Sequence, residues 1–245
     1  MAKAHIGTSG WSYDHWVGPF YPEDLPSDQR LGHYAERLAT AEINNAFYQL
    51  PTAETLEHWR SAVPADFVFA AKASRYITHM KKLKDPGDTV PPFLERMAAL
   101  GRQLGPVLFQ LPPRWHQNTE RLASFLETLE RLEPGRRWVF ELRDHSWLTQ
   151  ATCELLTQHN AAFCIYELDG FVTEPTVTAD FVYIRLHGPD AAYQGRYDGA
   201  ALDAWAERIR DWLRRDLDVY CYFDNDEAGH AVQNALALEE RIAAQ

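Results

Sequence analysis

Residues 181–190, FVYIRLHGPD, decide how this 245-residue chain is read. Phe181, Val182, Tyr183, Ile184 and Leu186 form the nearly continuous apolar run of a strand covered on both faces in a parallel sheet. Arg185 and His187 interrupt that run, and side chains two apart on a strand point the same way. Arginine is almost never fully buried unless paired. The pair therefore marks a strand whose end meets other polar groups or a ligand.

Runs of the same kind recur along the chain: AHIGTSG from Ala4, AEINNAF from Ala41, FVFAAKA from Phe67, PVLFQLP from Pro106, WVFELRD from Trp138, AFCIYEL from Ala162 and DVYCYFDN from Asp218. Helical stripes lie between them. Leu122, Phe125, Leu126, Leu129 and Leu132 recur at helical spacing, with Asn118 as the N-cap and Pro134-Gly135 as the stop. Leu202, Trp205, Ile209, Trp212 and Leu213 make a second stripe, and Leu56, Trp59 and Val63, behind Thr52, a third. Eight such βα units predict a TIM (β/α)8 barrel, a closed eight-stranded parallel sheet forming one domain over residues 1–245. Only Asp169–Asp180, with Pro175 inside, separates the sixth and seventh strands, too little for a full crossover. An irregular or missing helix is expected there. A doubly wound open sheet is the alternative, but no Gly-rich phosphate loop follows the first strand.

The net charge of −11 disfavours nucleic acid as a partner and argues against a membrane footprint, both of which need a broad basic surface. A local basic pocket remains compatible with it. No stretch approaches the ~18 apolar residues of a membrane helix. Cys153, Cys164 and Cys221 lie far apart, which argues against a disulfide framework or zinc knuckle and for a reducing, cytoplasmic location.

Catalytic groups of such barrels sit at the carboxyl ends of the strands. Polar residues fall there on six strands: Glu42 and Asn44, Lys72, Gln110, Glu141 and Arg143, Arg185 and His187, then Asp224 and Asn225, of which only one can face inward. Buried charges must pair with each other or with a ligand. An inert ion-pair network is the structural alternative. The rim loops are aromatic, with Trp11, Tyr13, Trp16, Phe20 and Tyr21 in one, Phe47 and Tyr48 in another, and Tyr193 and Tyr197 in a third. Most are expected to pack; Trp11 and Tyr48 are the candidates for stacking on a ligand. The basic stretch SRYITHMKKLKDPGDTVPP, from Ser74, carries Thr78 and His79 toward the site as a lid, or is an exposed loop.

The ordered set GTSGW, EINNAFYQLP, FAAKAS followed by ITH, FQLPP, FELRDHSW, YIRLHG and YFDND resembles the YecE-like family, the domain of unknown function numbered 72, over nearly the whole chain. The resemblance implies a TIM barrel and no established reaction. It points to Glu42, Asn44, Lys72, Thr78, His79, Gln110, Glu141, Arg143, Arg185, His187 and Asn225. Family members typically read FNN where this chain has Phe223-Asp224-Asn225, which puts an additional carboxylate at the eighth strand.

No GxSxG elbow supports a nucleophilic triad. Gln110 and His187 stand where many barrel glycosidases carry their two carboxyl groups. Lys72, Arg143 and Arg185 among the His and carboxylates disfavour a divalent metal, and no cofactor is expected. What remains is an enzyme for a small anionic or phosphorylated substrate, with hydrolase, lyase and isomerase chemistry open. Lys72, Arg143 and Arg185 would clamp the anion, and His187, Glu141 and Glu42 would move protons. The alternatives are a non-catalytic binder of a phosphosugar or nucleic-acid end, and a metal-dependent hydrolase or isomerase by fold analogy with endonuclease IV-like and xylose isomerase-like barrels. If Arg185 and His187 line a ligand site, replacing both by Ala should change stability little, or cost about 1–3 kcal/mol.

Overall fold

The structure, a computed structural model, describes residues 1–189 and 191–244. The strands are β1 (Ala4–Ser9), β2 (Thr40–Ile43), β3 (Val68–Lys72), β4 (Leu104–Leu111), β5 (Trp138–Leu142), β6 (Ala162–Leu168), a two-residue β7 (Phe171–Val172), β8 (Phe181–Leu186) and β9 (Asp218–Phe223). All but β7 are parallel. They follow the order β5-β4-β3-β2-β1-β9-β8-β6, and pairing of β5 with β6 closes the ring. The result is the expected eight-stranded barrel.

Strand alternation sorts the apolar residues into two cores. Ala70, Leu108, Val139, Cys164, Tyr183, Tyr220 and Tyr222 pack together as one cluster, filling the barrel. Their neighbours in sequence, such as Phe69, Phe109, Phe140 and Ile184, face the helices. Three of those helices begin where a side chain supplies the N-cap. Asn118 accepts from the Arg121 amide ahead of α5 (Thr119–Leu132), as its sequence predicts; Thr52 caps α2 (Ala53–Ser61) and Asp198 caps α7 (Gly199–Arg214). Each ring of the first loop that was expected to pack does so: Trp16 and Tyr21 are almost fully buried, and Phe20 lies against both.

The connection from β6 to β8 has no helix. It folds back as β7, antiparallel to β6, then continues without regular secondary structure to Asp180. Two threonines supply what a helix would otherwise cover. Thr173 Oγ1 accepts from the Tyr166 amide at 2.9 Å, and Thr178 Oγ1 accepts from the Phe163 amide at 2.8 Å while donating to the Ala161 carbonyl at 2.7 Å. Among the described residues, no helix is long and apolar enough to cross a membrane.

Candidate active site

Inward parity at the carboxyl ends of the strands delivers one polar side chain from every strand of the ring. They are Ser9, Glu42, Lys72, Gln110, Glu141, Tyr166 and Arg185, with Asp224 one residue beyond β9. The register sets Ser9 beside Glu42, Gln110 beside Glu141 and Tyr166 beside Arg185. Arg143 and His187 follow two residues further along their strands. Gly188 turns the chain immediately after His187 at φ 119°; a Cβ there would stand 2.2 Å from the Gln194 carbonyl oxygen, so only glycine lets the 191–194 turn close over the strand end.

Arg185 is the centre of the cluster and is fully buried. Its Nε donates to Glu42 at 3.1 Å to Oε2, and its Nη2 donates to Glu42 Oε1 at 2.7 Å and to Asp224 Oδ2 at 3.0 Å. Its Nη1 donates to Glu141 Oε2 at 2.8 Å and lies 3.3 Å from His187 Nε2. All five donors of the guanidinium are thereby used. Ser9 Oγ and the Tyr183 hydroxyl donate to the two oxygens of Glu42 at 2.5 and 2.7 Å. Arg143 Nε donates to the other oxygen of Glu141 at 2.5 Å.

The cluster therefore holds three carboxylates, Glu42, Glu141 and Asp224, against three cations, Lys72, Arg143 and Arg185. This balance bears on the expected clamp of Lys72, Arg143 and Arg185. Arg185 has no donor left for a ligand, because the carboxylates of three other strands occupy it. Burial alone would push Glu141 upward, but Arg143 and Arg185 outweigh it and hold the carboxyl well below its ordinary range. Burial likewise opposes ionisation of Asp224, and Arg185 and the bond to His187 keep it lowered.

The tautomer of His187 follows from its neighbours. Nδ1 lies 3.0 Å from Asp224 Oδ2, while Nε2 faces Arg143 Nη2 at 3.2 Å and Arg185 Nη1 at 3.3 Å. Guanidinium groups only donate. These two guanidinium contacts favour a lone pair on Nε2 and a proton on Nδ1 donated to Asp224, against Glu141 Oε1, which stands 3.5 Å from the same Nε2. The ring itself is fully buried. The contacts that cover it are Arg143 and Tyr193; Arg143 Nη1 donates to the Tyr193 hydroxyl at 3.1 Å, and the Tyr193 ring meets the imidazole edge-on at 5.4 Å.

Lys72 differs from the other two cations. It is 7% exposed and makes no hydrogen bond or ion pair among the described residues; its Nζ stands 4.4 Å from the centre of the Phe47 ring. Burial, then repulsion from Arg185, bring its ammonium down to about 8 against the pull of Glu141, Glu42 and Asp224. His79 packs edge-on against the same Phe47 ring at 5.0 Å, and burial followed by Lys72 lowers its pKa. Thr78 Oγ1 lies 2.9 Å from His79 Nδ1. Both residues sit on a single π-helical turn, Tyr76–Met80, a rare geometry that recurs at functional sites. Beyond it the segment continues into α3 (Pro86–Thr89), with Leu83 and Val90 buried, so it is folded against the barrel. The Gln110 amide has no hydrogen-bond partner among the described residues.

Four of the sequence candidates stand outside this cluster. Asn225 points away: its Nδ2 donates to the Gly195 carbonyl at 2.9 Å and to Asn234 Oδ1 at 3.0 Å, tying the loop after β8 to α8 (His230–Ala243). Asp224 is the inward residue of that pair, continuing the parity of Tyr220 and Tyr222. Trp11 is buried against Trp59 and Phe69, at 5.0 and 5.9 Å. Asn44 lines a separate cavity of about 460 Å³ with Trp11, Tyr13 and Trp59, and its Oδ1 is buried without a partner. Tyr48 is 72% exposed, edge-on to Phe47. Ser9, Tyr166 and Tyr183 were not among the sequence candidates, Tyr193 figured only as a rim-loop ring, and Asp224 was undecided. For Ser9 and Asp224 parity was the available signal, since each lies two residues from an inward position.

Among the described residues, no three His, Cys, Asp or Glu side chains are grouped so as to hold a metal ion. A model of the family described as "Protein of unknown function DUF72" matches residues 5–245. The UPF0759 protein YunF of Bacillus subtilis (strain 168) is 24% identical, with 97% of this chain and 94% of that protein covered. Among solved structures, a DUF72 family protein of Thermotoga maritima MSB8 superposes with a TM-score of 0.86 at 27% identity, covering 97% of this chain and 98% of the other. A DUF72 family protein of Enterococcus faecalis V583 gives a TM-score of 0.82 at 20% identity over 98% and 95% of the two chains.

Proposed function

The chain belongs to the DUF72 family, which brings a fold and no reaction, and from the site itself we propose an enzyme that moves a proton on a small anionic or phosphorylated substrate at the barrel mouth. The observation that carries this reading is the His187–Asp224 dyad. A buried carboxylate fixes the imidazole with its proton on Nδ1, leaving the Nε2 lone pair beneath Arg143. Orientation of a base by a buried acid is the arrangement by which histidine serves proton transfer. Lys72, unpaired, and Arg143, whose side chain is 10% exposed, are the cations left to receive an anion; Arg185 serves as the fixed strut beneath them. An anion that draws Arg143 toward itself uncovers Nε2 in the same movement. No metal or cofactor enters this scheme, because guanidinium donors already engage the oxygens of Glu42 and Glu141.

An inert network is the second reading, and the saturated coordination of Arg185 favours it. Lys72, a nearly buried cation at the same rim with no ion pair among the described residues, counts against it, since charges removed from water are normally paired. A thermal-shift screen with inorganic phosphate, glyoxylate and a panel of sugar phosphates separates the two. Stabilisation by one class of anion, with turnover of that compound lost in His187→Gln, supports the enzyme. Melting unchanged by every anion supports the network.

A further inference from the structure

We propose that Lys72 is a nucleophile that forms an imine with the aldehyde or keto group of its substrate, the substrate being a small carbonyl compound that also carries a carboxylate or phosphate. This inference rests on the barrel-mouth reading above and assigns its substrate class.

Three observations point to it. Lys72 is the one cation of the cluster that no carboxylate engages among the described residues, whereas Arg143 and Arg185 both pair with Glu141. Its stem rises from the inward face of the end of β3, and its amine lies over the Phe47 ring at the rim, nearly but not wholly enclosed. Its neighbours are of the kinds an amine nucleophile uses: a fixed cation, Arg185, that disfavours the ammonium, and the His79 imidazole, packed on the same Phe47 ring. Desolvation beside a second cation is a recognised route to a reactive lysine, and the lowered proton affinity of Lys72 agrees with it.

The step balances without a co-reactant. The Nζ lone pair attacks the carbonyl carbon, the C=O π pair moves to oxygen, and one amine proton is passed to that oxygen to give the carbinolamine. The second amine proton follows, the C–O bond breaks, and water leaves as the C=N bond forms. In this proposal His187 would relay these protons once Arg143 has turned to the substrate's anionic group. Arg143 and the ring of Phe47 would then hold the two ends of the adduct.

The chain has five lysines, Lys3, Lys72, Lys81, Lys82 and Lys84, so an adduct is easily placed. The test is incubation of the full-length protein with millimolar glyoxylate and cyanoborohydride at pH 7.5, followed by peptide mapping; hydride from the reagent fixes any imine as a secondary amine. An exposed lysine titrates near 10.4, so at this pH the free-amine fraction favours Lys72 on the order of 100-fold. We expect initial labelling of Lys72 at least ~10-fold faster than of any other lysine, with the N-terminal amine as internal standard. The rate should rise through pH 8, and Lys72→Met should lose the label while the other sites keep theirs. Labelling of Lys72 no faster than of Lys3, Lys82 and Lys84 overturns the proposal in the wild-type protein alone, whether or not the variant folds. The same samples, melted with inorganic phosphate, keep the two readings apart. Anion stabilisation without an imine sinks only the covalent step. An imine at Lys72 without anion stabilisation sinks the anionic half of the substrate class.

Discussion

Replacing Arg185 by Met should be among the most damaging single changes in the barrel, and the damage should depend on pH. Methionine fills much of the arginine stem and removes every donor at once. Three carboxylates from β2, β5 and the end of β9 then face one another without the guanidinium that bridges them at 2.7–3.0 Å. Breaking a buried ion pair from one side costs about 3–5 kcal/mol, because it strands the partner charge. For a chain of this size that lowers Tm by about 6–20 °C. This exceeds the small cost expected when the Arg185–His187 pair was read from sequence as ligand-facing; the guanidinium is instead the internal counter-ion of the mouth. In the wild type, Glu141 and Asp224 are held low, so their contribution is present above the unfolded values near pH 4 and is lost as pH falls through their folded values. Without Arg185, burial raises them, and their ionisation opposes folding at neutral pH until acid protonates them. The gap between wild type and Arg185→Met should therefore be widest at pH 7 and narrow toward pH 4.5. Adding Glu42→Gln should restore part of the loss at pH 7. Denaturant melts at both pH values measure this. A variant within 2 °C of wild type at pH 7, or a gap that widens in acid, would refute the reasoning.

Asn225→Ala should cost ~1–3 kcal/mol through the stranded Gly195 and Asn234 acceptors while leaving anion-induced stabilisation unchanged; loss of that stabilisation with stability intact would return Asn225 to the site. Asp226 donates nothing to the cluster but accepts from Trp16 Nε1 at 2.6 Å, and burial raises its carboxyl to about 6. Its folded value lies above its unfolded one, so stability falls as pH rises from about 4 to 6. Asp226→Asn should thus raise Tm at pH 8 and leave it unchanged at pH 4; equal effects at both would contradict the shift.

Much of this architecture was legible in the sequence, and for physical reasons. Strands buried on both faces must be apolar throughout, so the eight runs announced themselves, and the twelve residues from Asp169 to Asp180 could not hold a crossover helix. Parity also pointed to Glu42, Lys72, Gln110, Glu141 and Arg185 as one rim. Pattern alone did not reveal which charges would saturate which. That Arg185 meets carboxylates from three strands depends on barrel stagger, which sets the heights of side chains across the ring. Tyr183 and Tyr166 look like core residues in an apolar run, and their hydroxyls acquire a role only once Glu42 and the Leu142 carbonyl, 3.2 Å from the Tyr166 hydroxyl, are in place. Trp11 and Asn44 follow their strands in loops, which carry no alternation to say which way a side chain turns.

Calorimetric titration of inorganic phosphate and of glyoxylate into the wild type, Lys72→Met and Lys82→Met tests the central claim most directly. Lys82 is an exposed lysine that removes the same charge elsewhere. Loss of a charge-assisted contact worth about 1.5–3 kcal/mol predicts that at least one of these anions binds the wild type and Lys82→Met alike, and binds Lys72→Met at least ~10-fold more weakly. Equal affinity in all three proteins, or no binding to the wild type, would contradict an anion site at the mouth of the barrel.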